Sequence, residues 1–210
     1  MVNMKKQFGT NSRIKRVPLW GAAALIAGVS LGSPVLAAAA TSSTTISSNI
    51  GSVISLFSTS GTVNVNVTPT GSGAQTIASD TVTVSTNDAA GYTLQLAESG
   101  AASALTSGSN TIPASSGSQA VPVAMAVNTW GYRVDSVGGF GTGPTSGASS
   151  TAISATKFAA VPATASPNTL KTTATTASND TTTVWYGTAA NTTQPSGVYT
   201  NSVTYTVTAN

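Results

Sequence analysis

The feature that most restricts how this chain can fold is a period-two alternation of apolar and hydroxyl-bearing residues. Val63, Val65 and Val67 alternate with Thr62, Asn64 and Asn66. Val82 and Val84 alternate with Thr81, Thr83 and Ser85, and Tyr92, Leu94 and Leu96 with Thr93 and Gln95. Near the end, Val203, Tyr205 and Val207 alternate with Ser202, Thr204, Thr206 and Thr208. Successive side chains of a strand point to opposite faces, so each run has one face to pack and one to wet. Thr, being β-branched, suits the wet face of a pleat. The runs Val121–Val127, Trp130–Val134, Ala152–Phe158, Thr169–Thr173 and Thr182–Tyr186 are further strand candidates.

Turn chemistry divides these runs: Pro69-Thr70-Gly71, Asn87-Asp88-Ala89-Ala90-Gly91, Ser107-Gly108-Ser109-Asn110 and Gln194-Pro195-Ser196-Gly197. Asn87–Gly91, set between two alternating runs, reads as the loop of a hairpin. Short strands with such punctuation predict an all-β fold, an antiparallel β-sandwich of Ig-like or jelly-roll-like type, over residues 62–210. The sandwich core is expected to contain Val65, Val82, Val84, Tyr92, Leu94, Val203, Tyr205 and Val207. Asp135–Thr151, rich in Gly, reads as a long loop, and Pro162–Asp180 as irregular chain around one short strand.

The N-terminal forty residues are of a different kind. Lys5, Lys6, Arg13, Lys15 and Arg16 precede an uncharged apolar stretch from Leu19 to Leu36. Gly32-Ser33-Pro34 breaks that stretch, and small residues Ala37, Ala38, Ala39 and Ala40 follow. A basic start, an apolar middle and a small-residue cleavage region define a secretory signal peptide over residues 1–40, helical in its apolar part. An uncleaved membrane anchor is the other reading of the same stretch, and the membrane is expected as a partner only through this segment.

Residues 41–61 form an N-terminal arm holding Ile46, Ile50, Val53, Ile54, Leu56 and Phe57. Their spacing fits a short amphipathic helix, whereas the surrounding Ser, Thr and Gly favour an extended segment. An arm with this much apolar bulk has to bury it somewhere. Packing on its own sandwich is one outcome; the other is addition to a neighbouring subunit's sheet edge, with Val53, Leu56 and Phe57 as assembly residues.

Composition excludes much chemistry. The chain has no Cys and no His, which removes disulfides, Cys/His zinc sites and imidazole or thiolate catalysis. Only 6% of residues are charged, against a usual ~25%. Beyond residue 40 three basic residues, Arg133, Lys157 and Lys171, face five acidic ones, Asp80, Asp88, Glu98, Asp135 and Asp180, a net charge of −2. Such a surface cannot neutralise a row of phosphates, so nucleic acid is excluded as a partner.

The nominal carboxylate pair for glycoside hydrolysis is Glu98 with Asp135, but each sits near a strand end, where a solvated or capping acid is expected. Asn87-Asp88 and Asn179-Asp180 are too isolated to build a calcium site alone. Gly138-Gly139-Phe140-Gly141 lacks the Lys and the strand-to-helix context of a phosphate loop. No enzyme and no cofactor are expected. Trp130, Tyr132, Trp185 and Tyr186 have two readings: sandwich core, or a platform stacking on sugar rings. Trp130 and Tyr132 share one strand face; Trp185 and Tyr186 point to opposite faces.

Residues 80–96 (DTVTVSTNDAAGYTLQL), 128–134 (NTWGYRV) and 194–208 (QPSGVYTNSVTYTVT) are similar to uncharacterised secreted Ser/Thr-rich β-sandwich surface proteins of candidate-phylum bacteria of the Saccharibacteria type. That resemblance covers most of residues 41–210 and implies a surface location without assigning site residues. The C-terminal part also resembles the WxL cell-wall-binding proteins and spore-coat-protein-U pilus subunits. It departs from the first in Trp130-Gly131-Tyr132 and Trp185-Tyr186-Gly187, and from the second in lacking cysteine. The expected function is a non-catalytic secreted cell-surface protein, a structural, adhesive or filament-forming subunit, with a carbohydrate-binding module as the alternative. The expected partners are further copies of the chain, or a cell-surface glycan or protein.

Overall fold

The computed structural model describes residues 42–100 and 102–210; the signal segment 1–40, with Ala37–Ala40, lies outside the described residues. From Ser48 onward the chain forms one unit of twelve strands: β1 (Ile54–Ser58), β2 (Ala74–Thr86), β3 (Tyr92–Glu98), β4 (Leu105–Ser107), β5 (Asn110–Ile112), β6 (Val123–Ala124), β7 (Thr129–Val134), β8 (Ala148–Ala152), β9 (Lys157–Phe158), β10 (Asn168–Thr172), β11 (Ala177–Ala190) and β12 (Val203–Ala209). The fold is an all-β antiparallel sandwich, as the alternation predicts.

One sheet runs β1-β2-β11-β7, with β8 sharing the edge of β2 beside β1; the other runs β10-β3-β12. The spine is the β2–β11 pair, in register from Ala177↔Thr86 to Ala190↔Ala74. A bulge between Ala177 and Asp180 places Asn179 at φ 51°, where Asn is among the residues that tolerate the left-handed region. The Asn179-Asp180 dipeptide is thus bulge chemistry. β11 is far longer than Thr182–Tyr186 suggests, because Thr and Ala, neither strongly apolar, continue the ladder at both ends.

Alternation sorts the two faces. Val82, Val84, Val184, Tyr186, Trp130, Tyr132 and Val134 point between the sheets and meet Tyr92, Leu94, Leu96 and Leu170. On the opposite face of the larger sheet, Ile77, Trp185 and Ala189 form a second, smaller core with Met125 and Phe158, brought there by the short β6–β9 pair. That second layer approaches closely because Gly187 and Gly131 are register partners. A Cβ on Gly187 would lie 2.8 Å from Met125 Cε and the Phe158 ring, and one on Gly131 2.6 Å from the Ala159 carbonyl.

Several expectations need correction. Asn87–Gly91 does not close a hairpin: β2 and β3 lie in different sheets, so this loop arches from one to the other. Asp88 accepts the Ala90 N–H, and Gly91 sits at φ 84° where a Cβ would meet Thr173 O at 2.4 Å. The sandwich begins at Ile54 and not at Thr62, since β1 pairs Ile54↔Thr86 through Ser58↔Val82. Thr62–Val67, despite its alternation, joins no ladder: Val63, Val65 and Val67 are half-buried, and β8 pairs the Ala74–Ile77 end of β2 instead. Val121–Val127 and Ala152–Phe158 keep only the short β6, β8 and β9, and the Asp135–Thr151 loop contains the start of β8. Ser107–Asn110 is a hairpin turn, with Gly108 at φ 59°. Replacing Gly187 by Val is expected to destabilise the fold by about 1–3 kcal/mol through overpacking of the second core, read by chemical denaturation, whereas Thr183→Val on the open part of β11 changes little.

Candidate functional site

The four aromatics proposed for glycan stacking are all buried, each below 8% exposed. Trp130 donates Nε1–H to Ser103 O at 2.8 Å. Tyr132 donates its hydroxyl to Gln119 Oε1 and accepts from Asn168 Nδ2, both at 2.7 Å. The Tyr186 and Tyr205 hydroxyls share a hydrogen bond at 2.8 Å across the sheets. Trp185 fills the second core. No ring face is offered to solvent, so these four residues form no platform: three point between the sheets, and the fourth is covered by the β6–β9 layer. Burial pushes the Tyr132 hydroxyl up to about 12, against the Asn168 hydrogen bond, and holds Tyr92, Tyr186 and Tyr205 well above the ordinary phenol range.

The charged groups are similarly occupied. The carboxylate of Asp80 accepts Ser58 Oγ at 2.6 Å, Thr59 Oγ1 at 3.0 Å and Ser60 N at 3.1 Å, tying the end of β1 to β2. Asp88 accepts Ser52 Oγ and the Ala90 amide. Arg133, 2% exposed, reaches Asp135 at 3.1 Å and the carbonyls of Phe140, Gly141 and Lys157, with its guanidinium 5.8 Å from the Phe140 ring centre. The Gly138–Gly141 loop, with positive φ at Gly138 and Gly141, turns its Phe140 and Gly141 carbonyls onto the buried Arg133 cation. Lys171 pairs with Asp180, which also accepts the Tyr92 hydroxyl at 2.8 Å. Burial alone would raise the Asp180 carboxyl, but the hydrogen bonds from Lys171 and Tyr92 and the Lys171 charge hold it below its ordinary value.

Glu98 and Asp135 do not form a pair: Glu98 ends β3 in one sheet, and Asp135 follows β7 in the other and binds Arg133. Glu98 is 2% exposed, with Oε2 accepting Asn201 Nδ2 at 2.8 Å and Oε1 without a hydrogen-bond partner among the described residues. Desolvation raises its carboxyl to about 7, against a lowering by Asn201. Among the described residues no three acidic side chains converge on a metal position.

What sequence reasoning missed is the use of these charges as pins, above all Asp80, Arg133 and Glu98. A lone Arg inside the otherwise uncharged run Thr129–Val134 is the one signal that could have marked Arg133 as buried and bonded.

The remaining open feature is a strand edge. β12 pairs only with β3, and its inward row Val203, Tyr205 and Val207 is half-buried, while Tyr92, Leu94 and Leu96 beside it are fully buried. β12 carries no charge and no proline, the devices that ordinarily block edge pairing. Val53, Leu56 and Phe57, the expected assembly residues, are exposed; Leu56 and Phe57 belong to β1, an edge strand paired on one side with the chain's own β2. No family model, curated protein or solved structure matches this chain.

Glu98→Gln isolates the cost of the buried carboxyl. Because its pKa is raised on folding, wild-type stability from this group is intact below about 4.5 and is lost as pH rises toward 7. The stability gain of Glu98→Gln over wild type is therefore expected to be small at pH 4, to grow between pH 4.5 and 7 and to level off above, in denaturation measured across that range.

Proposed function

We propose that this protein is a non-catalytic subunit of a cell envelope, exported through its N-terminal segment and working by self-association or adhesion. The observation that carries the reading is the pairing of two facts. Every acidic group is either bonded into the scaffold or buried without a catalytic partner, and an uncharged, Thr-faced strand, β12, lies at the edge of its sheet. A side chain committed to holding a loop is not free to shuttle protons at a substrate, while an unblocked edge is suited to binding another chain. The sequence supports export: a basic start, an apolar stretch and the Ala37–Ala40 cleavage region. A hydroxyl-covered exterior keeps a chain with few charges hydrated outside the cell.

The test expresses the whole chain in a secreting host and locates it with an antibody, with its mass and its association state followed in parallel. Expected are surface antigen, a mature N-terminus between Ala38 and Thr41, and a sedimenting mass that grows with concentration. A protein released as a strict monomer at all concentrations contradicts the reading.

A further inference from the structure

We propose that the segment Ser42–Ile50 of one copy adds as a strand to the free edge of β12 in a second copy; this rests on the self-associating reading above and names the surface and its occupant.

The donor segment has the required properties. Ser42–Val53 takes part in no ladder, and Ile46 and Ile50 are 91% and 81% exposed. As a strand, Ile46, Ser48 and Ile50 lie on one face and Ser47 and Asn49 on the other. Gly51–Val53 is already committed: Asn87 receives the Val53 N–H at its Oδ1 and donates Nδ2–H to Gly51 O, and the Asn87 N–H donates to Val53 O.

The acceptor matches in chemistry and in spacing. The inward row of β12 is Val203, Tyr205, Val207, half-buried at the edge of its sheet and packed on the core with Val63 and Val65. Ile46 and Ile50 are four residues apart, as are Val203 and Val207, about 13 Å along a strand. The donor row reads large–small–large with Ser48 in the middle, and the acceptor row medium–large–medium with Tyr205 in the middle, so the small residue falls beside the bulky ring. The match is the same in either strand direction. Neither surface carries a charge: no Asp, Glu, Lys or Arg occurs between Thr41 and Ser79, or within Val203–Ala209. Nothing repels, and pairing supplies backbone hydrogen bonds with alternate apolar side chains covering the half-open core. Because donor and acceptor are different parts of the same chain, the contact is head-to-tail and propagates unless it closes.

Since the chain has no cysteine, the test uses single-cysteine variants of the full chain, purified from the secreting host. One carries Thr206→Cys on the solvent face of β12, and the other carries Ser47→Cys or Asn49→Cys on the matching face of the donor. The members of each mixture differ in tag length. The expected result is a disulfide between unlike copies, from Ser47→Cys for an antiparallel strand or from Asn49→Cys for a parallel one. Adding Ile46→Asp and Ile50→Asp to the donor copy is expected to lower that yield at least tenfold. Self-association that persists with no cross-link in either mixture overturns this inference and leaves the subunit reading standing. A further variant with both cysteines on one copy that cross-links within itself, while neither mixture cross-links, overturns it too. An absence of any association overturns both.

Discussion

Everything in this fold hangs on the long antiparallel pairing of β2 with β11. The pair forms a wall of both cores. Val82, Val84, Val184 and Tyr186 face the three-stranded sheet, and Ile77, Trp185 and Ala189 face the β6–β9 layer. A one-residue slip would exchange Val184 and Tyr186 for Trp185 and Gly187 on the inner face, and bring Gly187 away from the Met125 and Phe158 side chains that require it. The bulge at Asn179 starts the ladder, and the pair of facing glycines sets how closely its outer face is covered.

The few charges complete what the ladder begins. A chain with so little ionisable material has no surplus for surface ion pairs, which would contribute little in any case. It spends the acids and Arg133 where backbone or hydroxyl donors and acceptors need strong partners: Asp80 at the end of β1, Arg133 inside the glycine loop, Asp180 beneath Tyr92. Glu98 is the exception, a buried carboxyl with one oxygen unpaired and no cation facing it. Its cost is carried at the β3 end paired with the start of β12.

The fold class was legible because alternation is a direct image of a half-buried strand. Val82, Val84, Tyr92 and Leu94 lie in the core where alternation puts them, and the opposite facing of Trp185 and Tyr186 follows from parity alone. Pairing was not legible. The Asn87–Gly91 loop has the composition of a hairpin, yet composition does not say whether the following strand returns to the same sheet. Thr62–Val67 shows that a perfect alternating run can pack valines on the core, as Val63 and Val65 do, without joining a ladder. The aromatic platform failed for a related reason: a Trp or Tyr in a strand has the same sequence signature whether its face is covered or open. The covering layer over Trp185 comes from β6 and β9, two residues each, too short to carry a pattern.

The sandwich has an open margin at β12, where Val203, Tyr205 and Val207 are half-covered beside the buried Tyr92, Leu94 and Leu96 of β3. Hydrogen exchange of the backbone amides, followed as a function of protein concentration, tests this account most directly. The account predicts that β2, β3 and β11 are protected at every concentration, whereas β12 exchanges faster in the dilute protein and gains protection as the concentration rises. Protection of β12 equal to that of β3 in the dilute protein, unchanged on concentration, would contradict it.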